Sequence, residues 1–115
     1  MEQIAIDALT KKAAQELAPK LLPGEQVKIA FPAQYGHAFG NVALTDKRVY
    51  FYGKSTKEET ASIGISKISQ VKTELGGFFS STYLTVEYSG GEVKLRMFDN
   101  DMCKVLADAV TLATL

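Results

Sequence analysis

Gly40-Asn41-Val42-Ala43-Leu44-Thr45-Asp46-Lys47-Arg48-Val49-Tyr50-Phe51-Tyr52-Gly53 is the stretch whose reading decides the fold. Val42 and Leu44 alternate with small or polar neighbours, Thr45-Asp46-Lys47 makes a polar break, and Val49 and Phe51 resume the alternation. Two runs of period 2 joined by a tight polar turn predict an antiparallel β-hairpin. Asp46 suits the turn, because its carboxylate can accept the backbone N–H two residues on. Glycine at each end allows the chain to leave sharply.

Working outward toward the N-terminus, residues 2 to about 18 carry Ile6, Leu9, Ala13 and Leu17 on one helical stripe, with Lys11, Lys12, Gln15 and Glu16 mostly off it. Pro19 ends that helix. Leu21-Leu22-Pro23-Gly24-Glu25 reads as a linker, its leucines packed on the body of the domain. Val27, Ile29 and Phe31 then alternate with polar or small residues as far as Pro32, which closes the run, and 33–39 form a loop.

Toward the C-terminus, 54–59 form a charged loop. Ile63 and Ile65 mark a strand, Ile68 fills a turn, and Val71, Thr73 and Leu75 alternate again. Gly76-Gly77 breaks the chain, and Phe78-Phe79 begin the approach to the next strand, Tyr83 to Tyr88. Ser89-Gly90-Gly91 makes a hairpin turn before Val93, Leu95 and Met97. The period then becomes helical: Asp99 or Asn100 caps a helix with Asp101 in its first turn, and Met102, Val105, Leu106, Ala109 and Ala113 form its apolar face.

About seven short alternating strands imply antiparallel sheets with one buried and one wet face. The final helix must bury its stripe, and the open end of a rolled sheet is the place for it. The expected architecture is mainly β, a small, partly open antiparallel barrel of about seven strands. A C-terminal helix caps it, and residues 1–20 add a further helix to the single compact domain of 21–115.

At 115 residues the chain suffices for one hydrophobic core. Thirteen Lys and Arg balance thirteen Asp and Glu, so no global field favours nucleic acid or anionic lipid. Residues 26–74 carry seven Lys/Arg against four Asp/Glu, a small excess spread over several strands. The single cysteine, Cys103, excludes an internal disulfide. No secretory leader pattern and no apolar run long enough to span a bilayer is present, so a cytoplasmic protein is expected.

Three groups of residues together resemble the bacterial pleckstrin-homology (PH) domains. They are Leu21-Leu22-Pro23-Gly24-Glu25, Leu44-Thr45-Asp46-Lys47-Arg48-Val49-Tyr50-Phe51, and Ile63-Gly64-Ile65-Ser66-Lys67-Ile68-Ser69-Gln70-Val71. The Gly90-Gly91 turn and the closing helix strengthen the likeness, which covers roughly residues 21–113. The resemblance implies two nearly orthogonal sheets with a capping helix, no enzymatic activity, and binding of phosphoinositides, peptides or protein partners. Lipid-binding members carry several Lys or Arg around the first hairpin loop to hold phosphates. Here the corresponding loop, Pro32 to Phe39, has His37 as its only ionisable side chain besides Tyr35.

The leading expectation is therefore a non-catalytic module that binds protein, or a second copy of itself. Its candidate interface is aromatic: Tyr35, Phe39, Tyr50, Tyr52, Phe78 and Phe79. On a strand, adjacent Phe78 and Phe79 face opposite sides, which leaves one ring outside for the N-terminal helix or a partner to cover. A second reading is a lipid-headgroup binder using Lys47, Arg48, Lys54 and Lys57, and a third is a small-ligand-binding barrel. No nucleophile–base pair, metal set or cofactor motif is visible, so no catalytic residue, metal or cofactor is expected. His37 reads as a surface residue, Cys103 as a part-buried thiol, and Asp99-Asn100-Asp101 as a cap rather than a calcium loop.

Overall fold

The computed structural model describes all residues from Met1 to Leu115. Helix α1 (Gln3–Leu17) buries Ile6, Ala13 and Leu17 and runs into a short 3-10 turn through Pro19. Seven strands follow: β1 (Val27–Tyr35), β2 (Ala38–Thr45), β3 (Arg48–Lys54), β4 (Glu58–Gly64), β5 (Ile68–Glu74), β6 (Thr82–Tyr88) and β7 (Gly91–Met97). Helix α2 (Asn100–Ala113) closes the chain.

The strands lie in the order β4-β3-β2-β1-β7-β6-β5, every neighbour antiparallel, with β4 and β5 left as unpaired edges. β1 pairs with β2 along its length but with β7 only at Ala33 and Gln34. That short contact is the corner where the sheet turns on itself into a partly open barrel. Gly40 and Gly53 face each other on β2 and β3, and a Cβ on Gly40 would lie 2.5 Å from the Cα of Gly53. Only glycine permits so close a crossing.

The interior is filled by side chains, among them Phe31, Phe51, Leu84, Leu95 and Leu106, which leaves the barrel packed rather than hollow. Helix α2 contributes Met102, Cys103, Leu106, Ala107 and Val110 to this core, so it stoppers the open barrel as the period change suggests. Its buried stripe is turned from the expected one: Val105, Ala109 and Ala113 lie at the margin, and Cys103 is fully buried.

Several boundaries differ from the sequence reading. Pro32 does not end β1; it pairs with Asn41, and β1 continues to Tyr35. Because β7 joins only from Ala33 onward, Pro32 stands where one side of the strand has no ladder to lose. The expected loop of 33–39 shrinks to a turn at Gly36-His37, with Gly36 at φ +60°. Lys54, Glu58 and Glu59 belong to the β3–β4 hairpin, Ile65 opens a 3-10 turn, and Ile68 begins β5. Phe78 and Phe79 lie on no strand, so they do not face opposite sides as expected: both rings are outside.

Candidate functional site

The charged motif that marks the resemblance is spent inside the fold. The Glu25 side chain has no exposed surface, and its carboxylate accepts the backbone N–H of Leu22 at 2.9 Å and the hydroxyl of Thr45 at 2.7 Å. Arg48 grips both oxygens, Nε to Oε2 at 2.9 Å and a terminal N–H to Oε1 at 3.0 Å. The guanidinium also stacks over the Tyr50 ring at 4.0 Å. These contacts, the Arg48 hydrogen bond first, hold the Glu25 carboxyl well below the usual range, at about 2.

Thr45 organises the adjoining turn. Its hydroxyl oxygen accepts the N–H groups of Lys47 and Arg48 at 3.1 and 3.0 Å. That is the role expected of Asp46, whose carboxylate instead accepts the N–H of Gln26 at 2.8 Å. The Leu22-Pro23-Gly24-Glu25 segment and the Thr45-Asp46-Lys47-Arg48 turn are thus two halves of one lock.

The four cations do not form a patch. Arg48 is occupied by Glu25. Lys54 and Lys57 lie beside Glu58 and Glu59, each pair at 3.9 Å, at the β3–β4 turn. Lys47 sits at the β2–β3 turn, the other end of a seven-residue strand and so roughly 20 Å away. Separation and pairing both follow from the hairpin register.

The six aromatic candidates also part company. Tyr50 is buried under α1, packed with Ala13, Leu17, Ala30 and Ala43, and burial pushes its phenol up. Small Ala30 and Ala43 let the helix approach the sheet, and the Thr10 hydroxyl both donates to the Ala30 carbonyl and accepts its N–H. Glu16 accepts a hydrogen bond from Asn41 on the same face. Tyr35 packs edge-on against Phe51 at 5.8 Å, an internal contact. Tyr52 is half-buried, donates to Glu58 at 2.7 Å, and lies under the Lys20 ammonium; the Glu58 bond helps push its phenol to about 12.

Phe39, Phe78 and Phe79 remain on the surface. Phe39, 58% exposed, stacks nearly parallel on Phe98, 46% exposed, with centroids 6.2 Å apart. The Arg96 guanidinium lies 5.7 Å from the Phe98 ring, and Lys94 stands over Tyr83 at 4.5 Å. Sequence reading missed Phe98, Arg96 and Tyr83. The outward phase of β7, which Lys94 and Arg96 share, carries on to Phe98 and was the available signal. Phe78 and Phe79 sit apart on the β5–β6 loop at 92% and 96% exposure, their rings edge-to-face at 4.8 Å.

His37 occupies the exposed β1–β2 turn, beside an open groove of about 410 Å³ lined also by Ser55, Thr56 and Lys57. Cys103 is inside, its thiol 3.6 Å from the Tyr83 carbonyl oxygen and pushed up by burial. Asp99 caps α2, accepting the N–H of Met102 at 3.0 Å. Neither helix is long and apolar enough to cross a membrane.

No family model matches the sequence, and no curated protein matches it. Solved structures do resemble it. A pleckstrin homology domain from Shewanella amazonensis is 22% identical with a TM-score of 0.63, over 92% of this chain and 88% of that one. A duf1696 family protein with a pleckstrin-homology domain from Shewanella loihica is 20% identical with a TM-score of 0.62, over 92% and 93%. The Vps36 N-terminal PH domain is 14% identical with a TM-score of 0.61, over 82% of each chain. With its seven antiparallel strands, corner at β1 and helical stopper, this chain has the pleckstrin-homology fold, in the form met in these bacterial proteins.

Proposed function

We propose that the chain is a non-catalytic interaction module that binds protein, a second copy of itself included, through the surface around Phe39 and Phe98. One observation carries this reading: two stacked phenylalanines at about half exposure, with the Arg96 guanidinium over one ring. Aromatic rings beside arginine are the composition of interface centres, and such rings gain most when a partner removes them from water. The groove between Phe39, Tyr52 and the C-terminal end of α1, about 210 Å³, adjoins the stack and offers a partner side chain a seat. The Lys47, Arg48, Lys54, Lys57 reading lacks such support, because the first hairpin turn carries no cation and the four side chains are dispersed or paired. A ligand inside the barrel would have to displace packed core residues.

Self-association is the form of this reading that the chain alone can test. Sedimentation velocity over a wide concentration range should show a defined oligomer, and a Phe39→Ser, Phe98→Ser variant should sediment as a monomer with an unchanged unfolding midpoint. A wild-type chain that stays monomeric at the highest concentration overturns self-association. An oligomer indifferent to both substitutions removes the surface from the reading.

A further inference from the structure

The loop from Leu75 to Ser81 has no charged side chain, and it ends in the two most exposed phenylalanines of the molecule. It is also built rather than loose at its base. The Gly76 N–H is bonded by the Thr82 hydroxyl oxygen at 2.9 Å, and the Gly77 N–H by the Ser80 hydroxyl at 2.9 Å. The Gly76 carbonyl takes the Asn100 amide N–H at 3.1 Å, and the Thr82 hydroxyl donates to the Asn100 side-chain oxygen, which ties the loop to the first turn of α2. A Cβ on Gly76 would collide with the Ser80 carbonyl at 2.3 Å, so the backbone is folded tightly there. The outcome is a loop tied down at its base, with two rings edge-to-face on its exposed part.

We propose that this loop inserts Phe78 and Phe79 into the interfacial layer of a lipid bilayer, without selecting a headgroup. Three features point to a bilayer as the occupant. First, the rings stand at the tip of a protrusion. A protein hot spot sits within a surface that shields it from water, which a flat partner cannot provide around a tip, whereas a fluid interface closes round any convex apolar shape.

Second, no side chain from Leu75 to Ser81 is charged, so the segment beside the rings carries nothing that costs much to bring to the interfacial layer. Third, the charges around the base are balanced. Glu74 pairs with Lys94 at 3.6 Å, Asp101 lies 3.9 Å from the N-terminal amine, and Asp99 is engaged as a helix cap. Arg96 and Phe98 border the same base, at the level where a guanidinium meets water and its stem covers apolar surface. A rim without net charge gives no preference for anionic lipid.

The loop adjoins the Phe39–Phe98 surface at Arg96 and Phe98, so separate variants distinguish the two, Phe78 and Phe79 for the tip and Phe39 and Phe98 for the stack. The chain contains no tryptophan, so Phe79→Trp introduces a single reporter at the tip. With phosphatidylcholine vesicles its emission should shift to the blue and the protein should float with the vesicles, unaffected by high salt or by added phosphatidylserine. Phe78→Ser with Phe79→Ser should lower partitioning by about tenfold or more, because two rings then stay in water, while oligomeric state and unfolding midpoint hold.

Absence of flotation by the wild-type chain overturns the proposal. So does flotation confined to phosphatidylserine vesicles and lost at high salt, which would mean headgroup electrostatics. A blue shift of Phe79→Trp with rising protein concentration and no vesicles would assign the loop to a protein contact instead.

Discussion

A carboxylate without exposed surface is tolerated only when its oxygens are fully engaged, and Glu25 meets that condition through Leu22, Thr45 and both arms of Arg48. Removing the arginine alone leaves a buried charge unpaired, whereas removing both partners does not. Arg48→Met is therefore expected to cost about 3–5 kcal/mol in urea unfolding. Adding Glu25→Leu to it should return a large part of that loss. A small loss in Arg48→Met, or full additivity of the two changes, would show that the pair is not coupled. The single-residue view also explains why the motif looked like a binding patch in sequence. Thr45-Asp46-Lys47-Arg48 reads as a charged turn, and nothing local announces that Glu25, 23 residues earlier, takes up Arg48.

At the scale of elements, α1 matters through one edge and one face. β1 is unpaired on the β7 side before Ala33, and Thr10 supplies there the donor and acceptor that a neighbouring strand would. Thr10→Val should leave both Ala30 backbone groups without partners, at a cost of about 1–3 kcal/mol, and should speed hydrogen exchange at the Ala30 amide. Unchanged exchange at Ala30 would mean that the hydroxyl does not hold the edge.

Most elements were legible, because β3, β6 and β7 keep a period-2 alternation of apolar residues and both helices carry an apolar stripe, whereas β4, with Glu58-Glu59 at its start, has no such pattern. The limits of β1 were not. Whether Pro32 ends a strand depends on which side of it is paired, and that is fixed by β7, more than sixty residues later. Phe78 and Phe79 were misplaced for a related reason: apolar residues next to a strand look like its beginning, and the bonds to Asn100 and Thr82 that hold them in a loop are long-range or local to the folded turn. Tyr50, read as part of an outer aromatic strip, is buried because α1 covers that face of the sheet, a tertiary contact the local pattern does not carry.

Taken whole, the molecule is a rolled sheet that would gape without α2. Leu106 is fully buried between the sheet and the stopper, and Leu106→Ala should lower stability by about 2–5 kcal/mol through the cavity left behind. Urea unfolding gives the size of that loss, and an effect below about 1 kcal/mol would place α2 outside the cooperative core.

The lock joins the segment before β1 to the β2–β3 turn, and its contribution is readable in acid. Glu25 has a folded value of about 2 against an ordinary 4.5, so it binds its proton less readily when folded. Its stability contribution is then fully present above about pH 4.5 and lost as pH falls toward 2, on the order of 3 kcal/mol. The decisive measurement is global unfolding free energy against pH for the wild-type chain and Glu25→Gln. If the motif is consumed by the fold and recognition is left to the phenylalanines, wild type should be the more stable above pH 4.5, with the two curves converging near pH 2. Parallel curves across that range would show that Glu25 and Arg48 do not form the lock, and that Arg48 is free for a ligand after all.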